Sequence, residues 1–477
     1  MLMILSRLPT WMAPLPIFLT FVAVPYLHLT LLGVADRHAL AAAAIFTTFL
    51  AILMVVWRAR LLRWFGRLLR PVEQVGARHW IMIVLGVGIF LRIGWVIVFN
   101  TPLRSDFAIY FDLARGLVER GRYGGEGSYQ AYWPPGLPLF LAPFLALFGP
   151  QTWIPLLGNL LLTSLTILFT SRLAMELQER MVARMAPLLV AVWPSSVMSA
   201  GLASKEQLLL PLVTGAVLFC VRSGRNGRGA NWIYLALTGG LIGFATLTQP
   251  SFILLPAVIL LAEALSTGRL WRPLRHTLVV AFGTALIISP WIWRNYRVFG
   301  QFVLISTNGG DVLYRANNPL ATGTYTERGE IELQGMEELE RNRLGGQLAR
   351  EWIRENPGQF LRLAFRKQMA YLGDDNMGAY ETLRRGLGIG GPTLLIGKMI
   401  SSGYWLLIWA LILLGWLKHR AIYQLPHLAI PLLIVIYQLA IDSLYESGSR
   451  HHVPLSGLLA LLAAIPFSRG RVEPAGE

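Results

Sequence analysis

Long apolar stretches recur along the chain, separated by short polar links and by one long polar interruption at about 294–393. A helix needs roughly 20 mostly apolar residues to cross the ~30 Å hydrocarbon core of a membrane. The pattern therefore predicts an all-α polytopic membrane protein with about 12 transmembrane helices and a small polar outer insert. The predicted spans are 12–32, 38–57, 80–99, 152–171, 186–203, 208–222, 231–248, 251–266, 277–293, 394–417, 426–443 and 453–467.

One further apolar run, 136–149, is too short to be counted with these spans. As a helix it would be about 21 Å long at 1.5 Å per residue. Treating it as a span would also place the next two arginine-containing loops outside the membrane. We therefore expect an interfacial or re-entrant helix on the non-cytoplasmic side.

Composition and charge agree with a membrane domain. Of 477 residues 55% are hydrophobic and 14% are charged, against about 25% charged residues in soluble domains. The net charge of +16 comes mainly from arginines in short loops between apolar runs, such as the link 58–78. Such loops are expected in the cytoplasm, whereas nucleic-acid binding would require a basic face on a soluble module. Cys220 is the only cysteine, which excludes an intramolecular disulfide and a thiolate metal cluster.

The positions of the basic loops predict the sidedness and the domain organisation. Both ends of the chain are expected in the cytoplasm, and three polar stretches on the outer face: 100–135, 204–207 and 294–393. The predicted parts are an N-terminal two-helix hairpin with a basic loop (1–79), a core membrane domain (80–293) with a first outer loop (100–151), an extracytoplasmic insert (294–393) and C-terminal transmembrane helices (394–477).

The first outer loop carries the leading candidate for chemistry. After Pro102 the spacing of apolar residues predicts a surface helix with Ser105 or Asp106 near its start. One interpretation of Asp106 is a helix cap. The other is a carboxylate that deprotonates an acceptor hydroxyl or amine at the membrane surface.

Three other polar clusters are expected on the same face. Lys205 and Glu206 lie in a turn that is either an ordinary polar turn or a functional pair, because it is expected on the same side as Asp106. Arg294 and Arg297 either bind a lipid phosphate or extend toward lipid headgroups.

The third cluster, 446–452, contains Arg450, His451 and His452. Adjacent histidines rarely bind one metal together, so a cationic cluster facing an anionic headgroup or phosphate is preferred. We assign no metal site, and the sequence leaves open whether a divalent ion takes part.

Local signals within the insert predict turns and helices. Asn308, Gly309 and Gly310 are typical of a tight turn. Residues 336–372 have a helical pattern with a break at Asn356 and Pro357.

Several of these stretches resemble bacterial members of the GT-C superfamily of glycosyltransferases. The similar group is related to the dolichyl-phosphate-mannose protein mannosyltransferases and to the aminoarabinose transferase of lipid A. The matching stretches are SDFAIYFDLARGLVERGRY (105–123), WPPGLPLFLAPFLALFG (133–149), GFATLTQPSFILLP (243–256), SPWIWRNYRVFGQFVLISTNGGDVLYRANNP (289–319), ENPGQFLRLAFRKQ (355–368) and SRHHVPLSGLLALLAA (449–464). The stretch 289–319 is the most specific, because membrane insertion does not impose its irregular polar pattern.

The resemblance implies an inverting transfer of a sugar from a polyprenyl-phosphate-linked donor. The acceptor would be a lipid, a glycan or a protein, reached from the bacterial inner membrane at a site facing the periplasm or exterior. In this family an acidic residue early in the first outer loop is the catalytic base or orients the substrate, which matches Asp106. A second acidic residue at a later turn matches Glu206, although relatives often have Asp there.

The resemblance also bears on the donor phosphate and the substrate contacts. Relatives often carry Lys or His before the proline of the short helix, where this chain has Tyr132 and Trp133. Phosphate binding is therefore expected from Lys205, Arg294 or Arg450. Tyr110, Trp133 and His452 are expected to contact the substrate.

Two other functions remain open from the sequence. A transporter or flippase of lipid-linked sugars would share the span number and the basic interface, but such proteins tend to show internal repeats, and no clear repeat is present. A non-catalytic subunit of a membrane assembly would not require the carboxylate of Asp106.

Overall fold

The computed structural model describes residues 14–31, 35–68, 70–124, 130–177, 179–224, 231–326, 333–420 and 422–468. Within these ranges the regular secondary structure is helical throughout, as the apolar periodicity predicts. The N-terminal half contains α1 (Pro14–Leu31), α2 (Asp36–Leu68), α3 (Ala77–Val98), α4 (Asp106–Arg120), α5 (Gly136–Phe148), α6 (Ile154–Met175), α7 (Arg180–Ala191) and α8 (Lys205–Ser223). The C-terminal half contains α9 (Trp232–Thr248), α10 (Leu255–Thr267), α11 (Trp271–Phe299), α12 (Gly309–Ala316), α13 (Glu338–Glu355), α14 (Pro357–Leu372), α15 (Gly391–Lys418), α16 (Pro426–Leu444) and α17 (Ser456–Ala464).

Many of these helices are apolar, and some of them are also long enough to cross a membrane. Among the described residues, six helical segments are long and apolar enough to cross it: 77–98, 154–175, 205–223, 250–267, 271–299 and 391–418. Shorter apolar helices cover 14–30, 136–148, 232–248, 428–444 and 453–467. The chain is an integral multi-pass membrane protein, while the number of twelve spans and the predicted domain boundaries stay predictions.

Two apolar runs show how local sequence decides helix length. The run at 136–149 forms a helix of 13 residues, Gly136–Phe148, as its length predicts. The predicted span 186–203 is not one continuous helix, because α7 ends at Ala191 and a separate short helix covers Pro194–Met198. Pro194 disfavours a helical conformation for the residue before it, so the chain turns at Trp193.

The packing of α8 and α17 in the centre of the molecule decides which loops meet. Residues of both helices are almost all buried. They approach so closely at Gly457 that a Cβ atom there would lie 2.3 Å from Oγ1 of Thr214. The start of α8 and the loop before α17 also meet, because Nε of Arg450 lies 4.0 Å from Oε1 of Glu206.

The polar insert folds into helices that pack on one another. The predicted tight turn at Asn308 to Gly310 is wrong, because helix α12 begins at Gly309. A Cβ atom on Gly310 would lie 1.8 Å from the backbone oxygen of Asn342 in α13, so glycine permits a close helix approach there. The predicted helical region after 336 is confirmed, with its break at Asn356 between α13 and α14.

Candidate active site

Asp106 is the first residue of α4, and the backbone just before it is strained. Ser105 has φ 52° and ψ −136°, and among the described residues it is the only non-glycine residue with positive φ. Such conformations cost on the order of 1–3 kcal/mol and occur preferentially at functional sites. Ser105 makes no side-chain capping hydrogen bond, and Asp106 Oδ2 accepts a hydrogen bond from Arg450. The carboxylate therefore does more than cap its helix.

Arg450 lies close to two carboxylates, Asp106 and Glu206, that are distant from it in sequence. Its Nη1 atom lies 3.1 Å from Oδ2 of Asp106, and its Nε atom lies 4.0 Å from Oε1 of Glu206. Glu206 is buried at the start of α8, and its Oε2 atom accepts a hydrogen bond of 2.7 Å from Ser204. The arrangement places two carboxylates on one guanidinium group.

The electrostatics of this cluster favour the charged forms of Asp106 and Arg450. Burial alone would raise the pKa of the Asp106 carboxyl, but Arg450, followed by Lys205 and Arg385, outweighs burial and lowers the pKa. Burial alone would lower the pKa of Arg450, but the carboxylates around it, chiefly Glu206 and Asp106, raise it. Asp106 is therefore a carboxylate at neutral pH.

Lys205 adds a second cation beside this pair. It is the first residue of α8, and its charge acts on Asp106. No hydrogen bond or ion pair within the described ranges engages its ammonium group.

Two aromatic residues line the same region. Tyr110 is one helical turn beyond Asp106 and is buried, and its ring meets that of Trp133 edge-on at a centroid distance of 5.5 Å. Burial raises the pKa of Tyr110, and the neighbouring charges of Asp106 and Glu206 add to this effect. Substrate contact by Tyr110 and Trp133 stays a prediction.

Arg294 lies near the C-terminal end of helix α11 and binds the first outer loop. Its Nη1 and Nη2 atoms each donate a 2.9 Å hydrogen bond to a backbone carbonyl, of Gln130 and Tyr123 respectively. The guanidinium group also stacks over Trp291. The two hydrogen bonds hold the first outer loop against Arg294. Phosphate binding by Arg294 stays a prediction, and these contacts do not favour it.

The side chain of His452 is fully buried, apart from the carboxylate pair. It is 0% exposed, and its ring stacks on that of Trp405 at 4.0 Å. Its Nδ1 atom lies 2.9 Å from the backbone oxygen of Tyr371, and its Nε2 atom lies 3.1 Å from Oδ1 of Asp375. Both ring nitrogens are engaged by the protein, so substrate contact by His452 stays a prediction without geometric support.

A buried ion-pair network that sequence reasoning missed joins Glu446, in the loop before α17, to the insert. Glu446 receives two hydrogen bonds from Arg315, of 2.7 and 3.0 Å. Arg315 also lies 4.0 Å from Asp311, which accepts a 3.1 Å hydrogen bond from Arg341. In the sequence, Asp311 and Arg315 fall within the irregular polar pattern of 289–319 and Glu446 falls within the polar cluster 446–452.

The part of the chain that the structure describes contains no cluster of side chains suited to binding a metal ion. No group of three or more His, Cys, Asp or Glu side chains there is arranged to hold an ion. Asp106 and Glu206 instead share an arginine.

Comparisons with known proteins agree with the resemblance. Residues 133–293 match the family model described as Dolichyl-phosphate-mannose-protein mannosyltransferase. No curated protein matches the sequence.

Solved structures share the fold at low sequence identity. The archaeal oligosaccharyltransferase AglB from Archaeoglobus fulgidus, in complex with an inhibitory peptide and a dolichol-phosphate, is 14% identical with a TM-score of 0.52. The match covers 82% of this chain and 50% of that one, so the chain spans about half the length of this relative. A structure of the Archaeoglobus fulgidus oligosaccharyltransferase tethered to an acceptor peptide matches at 14% identity over 82% of this chain and 49% of that chain, with a TM-score of 0.50.

A further match is ArnT from Cupriavidus metallidurans bound to undecaprenyl phosphate. It is 14% identical and covers 83% of this chain and 79% of that one, and its TM-score of 0.42 is too low to support an argument. The family model and the shared fold confirm the resemblance to GT-C membrane glycosyltransferases.

Proposed function

We propose that the chain is a glycosyltransferase of the GT-C type that takes its sugar from a polyprenyl-phosphate-linked donor. The observation that carries this proposal is the meeting of Asp106, Glu206 and Arg450, from three separate parts of the chain, beside Lys205. An active site that transfers a sugar from a phosphate carrier needs cations to bind the phosphate and a carboxylate to act on the attacking nucleophile. The site contains both.

The proposed transfer is a single displacement with inversion. The oxygen or nitrogen of the acceptor attacks the anomeric carbon of the sugar, and the bond from that carbon to the phosphate oxygen breaks. The bonding electrons leave with the polyprenyl phosphate, whose new negative charge Arg450 and Lys205 stabilise. Asp106 orients the acceptor group and takes up its proton, while Glu206 holds the far side of Arg450.

The substrates and the sidedness are proposed on the same basis. The aromatic pair Tyr110 and Trp133 offers an apolar wall beside the carboxylate, suited to the sugar ring. The basic loops at 58–78 and 222–228 are expected in the cytoplasm, which puts the site on the extracytoplasmic face of a bacterial inner membrane. The acceptor is a lipid, a glycan or a protein.

A transporter or flippase is the less favoured function. Such proteins bind their substrate near the midplane between repeated halves. Here the acidic and basic groups gather at the start of α4, the start of α8 and the loop before α17.

The test uses the full chain in proteoliposomes with polyprenyl-phosphate mannose carrying tritium in the sugar. Lipid A, a membrane glycolipid extract and envelope protein serve as acceptor pools. Label that leaves the carrier and enters one acceptor pool, with release of polyprenyl phosphate, is the expected result. Donor that crosses the bilayer with its sugar still attached would indicate a flippase. Failure to bind any polyprenyl phosphate would contradict the proposal.

A further inference from the structure

The insert holds the backbone of a short segment of the first outer loop, 130–133, which we call the strap. The N–H groups of Gln130 and Ala131 donate hydrogen bonds of 2.9 and 3.2 Å to the two carboxylate oxygens of Glu338, the first residue of α13. The backbone oxygen of Ala131 accepts a 3.0 Å hydrogen bond from the N–H of Thr307. Because Glu338 is buried, the loss of either of its hydrogen bonds leaves a polar group without a partner.

The insert also holds a side chain of the strap, that of Tyr132. The hydroxyl of Tyr132 donates a hydrogen bond to Oδ2 of Asp311, in α12. Asp311 is 0% exposed, and its Oδ1 atom accepts a 3.1 Å hydrogen bond from Nη2 of Arg341, in α13. The guanidinium group of Arg341 lies over the Tyr132 ring, 5.8 Å from its centroid. Two helices of the insert therefore fix both the backbone and a side chain of the strap.

Trp133, the last residue of the strap, connects this anchoring to the candidate active site. Its ring meets the ring of Tyr132 at a centroid distance of 5.4 Å and that of Tyr110 at 5.5 Å, edge-on in both cases. Its backbone oxygen accepts a 2.8 Å hydrogen bond from the hydroxyl of Tyr123. Tyr110 lies one helical turn after Asp106. The Trp133 ring therefore stands between an anchored side chain and an aromatic residue one turn from the carboxylate.

We propose that the polar insert determines how strongly the site prefers the sugar of its donor. Glu338 and Asp311 are positioning residues, and they act by holding Trp133 where its ring contacts the sugar. The inference rests on the proposed function, in which Tyr110 and Trp133 form an apolar wall beside the sugar ring.

The contact between an aromatic ring and a sugar is sensitive to small displacements. Dispersion attraction decreases by roughly a quarter when a gap of about 0.5 Å opens between two surfaces. Under the proposed function the phosphate of the donor is recognised elsewhere, by the charges of Arg450 and Lys205. Loss of the anchoring is therefore expected to weaken binding of the sugar and to spare binding of the phosphate.

The test compares the binding of two lipids by the full chain in nanodiscs. One lipid is bare polyprenyl phosphate, and the other carries a hexose on the phosphate: mannose, glucose or galactose, whichever the wild type binds best. The ratio of the two dissociation constants measures the preference for the sugar. Any difference in phosphate charge between the two lipids is the same in every variant.

Glu338→Gln is the principal variant. Its amide group replaces one acceptor oxygen with a donor, so one hydrogen bond to the strap is lost while the size of the side chain is kept. We expect the preference for the hexose-bearing lipid to fall about fivefold or more. The dissociation constant of bare polyprenyl phosphate should stay at its wild-type value.

Further variants test whether the effect passes through Trp133. Tyr132→Phe removes the hydroxyl that reaches Asp311 and keeps the ring, so it should also lower the preference, and it carries the test if Glu338→Gln does not fold. Trp133→Ala should lower the preference at least as much, and adding Glu338→Gln to it should lower the preference no further. Glu340→Gln, which alters an exposed carboxylate on the same helix, is the matched control and should keep the wild-type preference.

A measurement without lipid tests the anchoring itself. The amides of Gln130 and Ala131 should exchange hydrogen about fivefold faster or more in Glu338→Gln than in the wild type. Mass spectrometry of peptides that contain the strap measures this exchange, and Glu340→Gln should match the wild type. Unchanged exchange in Glu338→Gln would overturn the anchoring.

A fall in sugar preference that is absent in the Trp133→Ala background supports the inference. Parallel weakening of both lipids, or an unchanged ratio in Glu338→Gln, would overturn it, because Glu338 would then serve folding alone. A wild type that prefers none of the hexose-bearing lipids would overturn it as well. If the wild type prefers a hexose-bearing lipid but transfers no sugar, the transfer in the proposed function fails and the inference stands.

Discussion

Arg450 Nη1 lies 3.1 Å from Asp106 Oδ2, although 344 positions separate the two residues in the sequence. The contact exists because α4 starts at Asp106 and the loop before α17 returns to that helix end. A charge-assisted hydrogen bond of this length is stronger than a neutral one. It keeps the carboxylate ionised and gives the arginine a defined direction.

Arg450 is expected to be irreplaceable by lysine. Lysine keeps the charge but presents a compact ammonium group that does not form a planar fork. We expect Arg450→Lys to raise the donor KM about tenfold or more, measured with polyprenyl-phosphate mannose. Arg120→Lys, at the other end of α4, is the matched control and should leave the donor KM unchanged.

The acid stability of the protein should depend on Asp106. Because the pKa of Asp106 in the folded chain is lowered below its ordinary value of about 3.9, the unfolded chain binds more protons in that range. The stability contributed by the pair is therefore present above pH ~4 and is lost as the pH falls through the folded pKa. As the pH is lowered from 6 to 3, the melting temperature should fall less steeply in Asp106→Asn than in the wild type. Identical slopes for the two proteins would contradict the pairing with Arg450.

Backbone strain at Ser105 predicts a stabilising substitution. Glycine adopts positive φ without the Cβ clash, so Ser105→Gly should raise the free energy of unfolding by about 1 kcal/mol. Ser105→Ala, which also lacks the hydroxyl but keeps the Cβ atom, should not. Thermal unfolding in detergent measures both, and equal melting temperatures for the two variants would argue against strain.

Because of Lys367, we expect a second pH dependence of stability, at alkaline pH. Its Nζ atom lies 2.9 Å from Asn317 Oδ1 and 3.0 Å from the backbone oxygen of Leu444, and burial lowers its pKa to about 7. The unfolded chain, with a lysine pKa of about 10.4, binds more protons between these values. Stability should therefore rise with pH from about 7 to about 10.

The check is a comparison of melting temperatures at pH 7, 8.5 and 10. Lys367→Met should remove the rise that the wild type shows. Lys398→Met, a second lysine replaced in the same way, should retain it. A rise that survives in Lys367→Met would assign the pH dependence to another group.

Local sequence signals predicted the helices and the leading carboxylate. The helix that begins at Asp106 and the break at Asn356 follow from periodicity and from proline, both of which act over a few residues. The turn predicted at Gly309 and Gly310 was wrong because glycine also serves close helix packing, which depends on a partner helix distant in sequence.

The partners of the site required the fold. Arg315 and Glu446 are 131 positions apart, and no local pattern relates them. His452 is adjacent to Arg450 in sequence, yet its ring is buried against Trp405 while Arg450 reaches Asp106. Which way each side chain points in this loop is decided by packing around α17.

The central claim is that the Asp106 carboxylate acts in sugar transfer. Its most direct test is the initial rate of transfer from tritiated polyprenyl-phosphate mannose by the wild type, Asp106→Asn and Asp112→Asn. Asp112 lies on the same helix in an exposed ion pair with Arg115, so its loss controls for the removal of a charge. We expect Asp106→Asn to lose about 100-fold or more in rate while still binding polyprenyl phosphate, and Asp112→Asn to keep the wild-type rate. An Asp106→Asn variant as fast as the wild type would contradict the account.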